Sequence, residues 1–531
     1  PYQSVGEQQT PQIVCITKSH QTPMALIRCA VLVGSLWLAL ATSLPVPRTV
    51  RSVDGSLDIT LTLERASITL SNGVTLNTRA YNKTVPGPTL RMKAGDTLRV
   101  HFQNLLPDQG SSYVHNQFSA ADESNVHFHG LHVSGELPSD DSTVPVLPGN
   151  EITYVTSLPA EHMPGTHWLH PHRHGSTAIQ VAGGAALALI VEDPAGTLPS
   201  QVEGAPEVLL VVMQIDLEMS SRMASRARDS WFSITGGSLT SLVNGEVTPS
   251  ISIKAGEWTR FRVIYAGWQA EMLSFQITGC EMVLLAKDGI YIRDFPRTLT
   301  AAAPIPTGGR ADLMIRCPAA SSNYQVTWDG QTIATVITGA EIVSSVDFEA
   351  WTPSYPTYLQ DLRTTEASEN CTCDIRFDRE QVNGDTFEYG VVLHESYLGA
   401  VVERNINARS HPYHQHVFPF QLISGFTADG GGGGRGRGGG GNVNVATNYN
   451  MPGDWHDTVE GSGSVRYQPS RFPGKVMLHC HRLDHEDQGM MALEMVKTSG
   501  PCACLSAASI GSAKSWWVQV PALLFVAMLA W

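Results

Sequence analysis

Positive charge is scarce in this chain. Its 531 residues carry 35 Lys and Arg against 49 Asp and Glu, for a net charge of −14, which leaves little basis for a broad phosphate-binding surface and so for nucleic-acid binding. Charge of either sign is low, at 16%, so the composition is that of an ordered globular chain rather than a solvated disordered one. Long helical periodicity is missing, which argues against a helical bundle. No apolar run reaches the roughly 20 residues of a confident membrane helix. Histidine is absent from Glu207 to about Phe348, and no methionine-rich insert is evident.

What is present is short runs rich in Val, Ile, Thr and Leu between turn signals, such as Ser56 to Leu63, Thr97 to Phe102, Ile152 to Ser157, Ala185 to Val191 and Val208 to Met213. This pattern predicts an all-β fold of sandwiches. The length suits about three domains of ordinary size. Boundaries fall near Asp193-Pro194 and in the Trp351 to Asn370 stretch, giving domains over 45–194, 195–350 and 351–505.

The densest chemistry lies in His479-Cys480-His481-Arg482-Leu483-Asp484-His485-Glu486-Asp487-Gln488-Gly489-Met490. A thiolate with two imidazoles and a weak axial thioether makes a blue-copper site, and Cys480, His485 and Met490 supply all but one imidazole. If the approach through Lys475-Val476-Met477-Leu478 is extended, side chains alternate faces. Cys480 then points one way, and His479 and His481 the other, toward a second metal centre. That centre needs more imidazoles, and His127-Phe128-His129, His170-Pro171-His172 and His414-Gln415-His416 supply them. Chance placement of 19 histidines gives about one such pair, whereas five occur when His172/His174 is included. His411, three residues before His414, is free to face the blue site.

The segments Asn125-Val126-His127-Phe128-His129-Gly130, Gly165-Thr166-His167-Trp168-Leu169-His170-Pro171-His172 and His411-Pro412-Tyr413-His414-Gln415-His416, with the Cys480 stretch, resemble the four copper signatures of multicopper oxidases. The likeness extends to Val85-Pro86-Gly87-Pro88-Thr89, Ala94-Gly95-Asp96-Thr97 and Val243-Asn244-Gly245. It implies three consecutive cupredoxin-like Greek-key β-sandwiches, with a copper cluster between the first and third domains. It further implies four copper ions: a type 1 ion on His411, Cys480, His485 and axial Met490, a type 2 ion on His127 and His414, and a type 3 pair on His129, His170, His172, His416, His479 and His481. The implied activity is four one-electron oxidations of a donor coupled to reduction of O2 to two waters, with phenols or aromatic amines first and ferrous or cuprous ions second as donors. Glu486, and Asp141 next to Asp140, match proton-supplying acids, while Asp457 is a candidate to anchor a ligand imidazole. His174 has no slot in the pattern and is expected to sit beside the ligands or be exposed. His416-Val417-Phe418-Pro419-Phe420 looks more like bacterial-type enzymes than fungal laccases. A copper-binding surface module without turnover is disfavoured by the complete histidine set.

Nine cysteines are present. Apart from Cys480, Cys15 and Cys29 fall in the leader. The remaining six read as disulfides in an oxidising compartment: Cys280 with Cys317, and the pair Cys371/Cys373 with the pair Cys502/Cys504. A zinc reading of the two Cys-x-Cys pairs is weaker because one residue separates the cysteines. Residues 1–44 read as an extension followed by a signal peptide around the apolar run Cys29 to Ala41, with a buried helix as the alternative. Gly430 to Gly441 reads as a flexible surface insert. Residues 506–531 read as a glycolipid-anchor signal, with a retained membrane helix as the rival. Asn82-Lys83-Thr84 and Asn370-Cys371-Thr372 are glycosylation sequons. Together these give an extracellular or cell-surface monomer, held to a membrane through its C-terminus, that meets O2 and a small organic or metal-ion donor.

Overall fold

Alternating apolar and polar residues build strands throughout the part of the computed structural model that describes the chain, residues 42–110, 112–269, 272–426 and 444–505. In the strand Ser56–Thr69, Leu57, Leu61 and Leu63 are buried while Asp58 and Thr60 are exposed, the period of two that a half-buried strand requires. This strand runs parallel to Thr97–Asn104, which sets Leu57 beside Leu98 and Leu61 beside Phe102. The same face packs on Phe128, Leu169, Leu187 and Leu189 of a second sheet. That second sheet runs Thr49–Arg51, Thr89–Met92, Leu187–Val191, Gly165–His170, His127–His129, so its edge strand carries the first histidine pair.

The middle part forms a seven-stranded sheet, with Glu207–Gln214, Thr259–Tyr265 and Arg310–Arg316 at its heart, and a five-stranded one. The Cys280–Cys317 bridge lies within this part. One element crosses the boundary read from the sequence. Ser233–Thr235 pairs antiparallel with Thr75–Tyr81, extending a first-domain sheet.

The third part carries a ten-stranded sheet in which Val402–Gln415 lies between Thr458–Tyr467 and Gly474–Cys480. Its register places His414 opposite His479 and Tyr413 opposite Cys480. Alternation across the pleat therefore sends the two histidines to one face and Tyr413 and Cys480 to the other. Under the sulfur-bearing face, Arg404 and Glu494 form a fully buried ion pair, and Arg404 also donates to the hydroxyls of Tyr413 and Tyr467. Disulfides Cys371–Cys502 and Cys373–Cys504 tie the start of this part to its end.

Helices are short; Leu217–Arg226 is the longest among the described residues. The expected leader up to residue 41, the glycine insert and the apolar tail from residue 506 lie outside the described residues. No helix among the described residues is long and apolar enough to cross a membrane.

Candidate metal centre

Eight imidazoles converge at the seam between the first and third parts. His127–His129 is an edge strand paired with Gly165–His170, so His127 stands opposite His170, while Val402–Gln415 and Gly474–Cys480 bring His414 and His479 from the other side. Rings touch across the seam: His127 stacks on His416 at 3.7 Å and His129 on His414 at 3.9 Å. Donor atoms of His127/His414/His416, of His127/His129/His170 and of His172/His416/His479 all lie within 4.8 Å of one another in each trio. All eight, His481 included, are buried. Burial, reinforced by neighbouring imidazoles, holds His127, His129, His414, His416, His479 and His481 well below the usual imidazole range, so the rings are neutral and keep a lone pair for a metal.

The surroundings decide which nitrogen carries that lone pair. His414 Nδ1 faces the Asp457 carbonyl at 2.8 Å, His170 Nδ1 the Pro171 carbonyl at 2.8 Å, and His479 Nδ1 the Cys480 carbonyl at 3.1 Å. A carbonyl only accepts, so each Nδ1 bears the proton and each Nε2 is free. His127 Nδ1 lies 3.1 and 2.9 Å from the two Asp140 oxygens. His127 Nε2 and His414 Nε2 have no hydrogen-bond partner. His479 Nε2 stands 3.1 Å from His172 Nε2 and 3.3 Å from His416 Nε2. Nitrogens that close have a proton or a cation between them.

Carboxylates surround this cluster. Glu486 sits between His172 Nδ1, 3.5 Å from its Oε1, and His479 Nδ1, 3.3 Å from its Oε2, and Thr177 donates to it at 3.2 Å. Burial and then the adjacent Asp487 push Glu486 well above the usual carboxylate range. Asp487 in turn accepts from the backbone of Gly175, Thr177 and Ala178, stitching the third part to a first-domain helix. Asp141 does not reach the imidazoles. It binds Lys475 Nζ at 2.5 Å and Thr143, and the neighbouring Asp140 takes the position facing His127. The backbone explains the difference, because Phe128 N donates to Asp140 Oδ1 at 3.0 Å and turns that side chain inward.

Asp457 lies 3.2 Å from His129 Nε2. Its position is fixed by Arg310 of the middle part, which donates to both carboxylate oxygens at 2.7 and 2.6 Å. Arg310 went unnoticed in the sequence, as did Gly308, where a Cβ would stand 2.6 Å from the His481 ring and the backbone has φ +87°. The histidine-free middle part thus shapes the cluster through one guanidinium and one glycine. His174 is buried, not exposed, and bonds Asn116 Oδ1 at 2.8 Å.

On the other face of the strand, His411, Cys480 and His485 bring their donor atoms within 4.8 Å of one another. Cys480 Sγ lies 3.4 Å from His411 Nδ1, which lies 3.1 Å from His485 Nδ1. Met490 is fully buried. Its backbone accepts from Cys480 N at 3.1 Å and donates to the His485 carbonyl at 3.0 Å, which fixes it beside both. Burial pushes the Cys480 thiol up, so the site favours a thiolate only when a cation is present. Soft sulfur with two neutral imidazoles fits copper, and the orphaned Nε2 atoms of the other cluster fit further ions of the same kind.

Two profiles described as multicopper oxidase match the chain over residues 62–196 and 352–499. The chain belongs to the multicopper oxidase family, copper-dependent oxidoreductases built from cupredoxin-like domains. It is 24% identical over 443 residues to the multicopper oxidase mco of Staphylococcus aureus, covering 82% of this chain and 88% of that one. It is 26% identical over 307 residues to Laccase-20 of Oryza sativa subsp. indica, covering 56% and 49%. The fold is shared with the multi-copper oxidase of Pseudomonas Thermotolerans, at a TM-score of 0.62 and 23% identity over 83% of this chain and 99% of that one. It is also shared with a multicopper oxidase from Campylobacter jejuni described as a metallo-oxidase, at 0.60 and 21% over 86% and 94%.

Proposed function

We propose that this oxidase takes electrons singly from phenols or aromatic amines and couples four such oxidations to reduction of O2 to two waters. The proposed ligands are His411, Cys480, His485 and axial Met490 for a type 1 ion, His127 and His414 for a type 2 ion, and His129, His170, His172, His416, His479 and His481 for a type 3 pair. Copper supplies the one-electron chemistry and the storage of four electrons. The observation that carries the reading is the double use of one strand, Gly474–Cys480. Cys480 turns into one site, and its covalent neighbours His479 and His481 join the other. Glu486 is assigned to hold and deliver protons, given its place between His172 and His479, and Asp140 replaces Asp141 as the second acid.

The rim of the Cys480 site supports an aromatic donor. His411 is partly open to solvent, which gives a small organic donor access to an edge of the Cys480 site. Ferrous or cuprous ions form the second reading, favoured by likeness to the metallo-oxidase. Three disulfides support placement in the secretory pathway or at the cell surface. Oxygen uptake by the copper-loaded enzyme tests the donor: faster turnover with a phenol than with ferrous or cuprous ion supports this reading, and the reverse order replaces it with metal oxidation.

A further inference from the structure

Away from the copper cluster, the buried ring of His394 makes no hydrogen bond. His394, on the strand Val392–Tyr397, is completely buried, and neither of its ring nitrogens has a hydrogen-bond partner. Its nearest carboxylate oxygen, Glu494 Oε1, is 3.6 Å from Nδ1, beyond hydrogen-bond range, and Glu494 already accepts from Ser396, Arg404 and Tyr467. An orphaned polar group in a native interior calls for an explanation. What does face the ring is sulfur. Cys504 is the direct register partner of His394 across the antiparallel pair with Ala503–Cys504, and Cys373 is bonded to Cys504. One His394 nitrogen and both sulfurs lie within 4.8 Å of one another.

We propose that reduction of the Cys373–Cys504 bridge turns this corner into a Cys2His site for a cuprous ion, separate from the catalytic coppers. Two molecules of a low-molecular-weight thiol supply two electrons and two protons, leave as their own disulfide, and convert the bridge to two cysteine thiols. The cuprous ion then displaces the two thiol protons and binds two thiolates and the neutral His394. The donor set is soft and has three members, which suits a cuprous ion, whereas zinc takes a fourth ligand. Bonds of roughly 2.0–2.3 Å to a shared ion put ligand atoms about 4 Å apart, so the spacing requires only side-chain rotation. Burial holds His394 down at about 4, which keeps the lone pair available at neutral pH. Cys504 is exposed while His394 and Cys373 are buried, so reductant and ion have an approach from solvent. The second bridge, Cys371–Cys502, still ties the same two segments, so the fold is held when the first bridge opens.

The test uses the full holoenzyme with its catalytic coppers filled. It is reduced anaerobically with a dithiol, desalted, assayed for free thiols and titrated with cuprous ion against a chromophoric cuprous chelator. The expected result is one further equivalent bound by the reduced enzyme and none by the untreated or reoxidised enzyme, with sulfur and imidazole ligation in the X-ray absorption edge. Cys373→Ser/Cys504→Ser is expected to lose that equivalent, and His394→Gln to weaken it by about tenfold or more. Cys371→Ser/Cys502→Ser is expected to retain it. No extra equivalent in reduced enzyme whose thiols are confirmed free overturns the proposal, as does equal uptake by Cys373→Ser/Cys504→Ser or binding of zinc in preference to the cuprous ion. The comparison of reduced with reoxidised wild type decides the matter even if a variant does not fold.

Discussion

Replacing Asp140 by Asn is expected to cost metal, not fold. The two Asp140 oxygens serve two donors, Phe128 N at 3.0 Å and His127 Nδ1 at 2.9 Å. Asn keeps one oxygen, and whichever donor it serves, the amide NH2 faces the other. If Phe128 keeps the oxygen, the NH2 donates to His127 Nδ1, and the ring proton moves to Nε2, the atom that now points unpartnered into the cluster. A protonated nitrogen cannot hold a cation. Loss of such a supporting contact lowers metal affinity about 10–100-fold, which is about 1.4–2.7 kcal/mol. The assay is copper retention during dialysis against graded chelator, read as copper per protein, with Asp141→Asn as control because Asp141 bonds Lys475 and Thr143 instead. Equal retention by Asp140→Asn and wild type, or loss in Asp141→Asn alone, would show that Asp140 does not set the His127 tautomer.

Arg310→Met leaves the buried carboxylates of Asp457 and Asp288 without their guanidinium, so stability is expected to fall by about 3–5 kcal/mol at neutral pH, measured by urea unfolding of copper-free protein. Glu460 titrates at about 8 in the fold, raised by burial from 4.5. A raised carboxyl contributes stability below its unfolded value that is lost as pH climbs through 8, so Glu460→Gln should gain on wild type between pH 5 and pH 8, and unchanged relative urea midpoints would count against it. The bridges Cys371–Cys502 and Cys373–Cys504 close loops of the same 131-residue separation. Losing either alone leaves the long loop closed and should cost about 2 kcal/mol, against about 5 kcal/mol or more when both are lost, as thermal unfolding of the three variants will show.

The histidine pairs were legible because a strand has a period of two, and a His-x-His segment on a strand announces a metal face without any tertiary knowledge. The expectation that Cys280 joins Cys317 and that the two close cysteine pairs join each other agrees with the bridges, but spacing alone leaves the connectivity open. Asp140 could not be separated from Asp141 in sequence, since adjacent residues of a loop differ only in which backbone N–H turns them inward. Arg310 and Gly308 carry no pattern at all; one arginine in a histidine-free domain becomes meaningful only when Asp457, 147 residues away, is set against it. Ser233–Thr235 escaped for a related reason, because linear composition cannot show a strand that crosses to another domain's sheet. Its antiparallel pairing with Thr75–Tyr81 is visible only in three dimensions.

Cys480 and the eight clustered imidazoles are proposed to act as one four-electron machine. The most direct measurement is the ratio of donor oxidised to O2 consumed by copper-loaded enzyme, with hydrogen peroxide assayed alongside. Four one-electron donors per O2 and no peroxide are expected. Two donors per O2 with peroxide accumulating would contradict this, because the seam between the first and third parts would then not act as a single cluster.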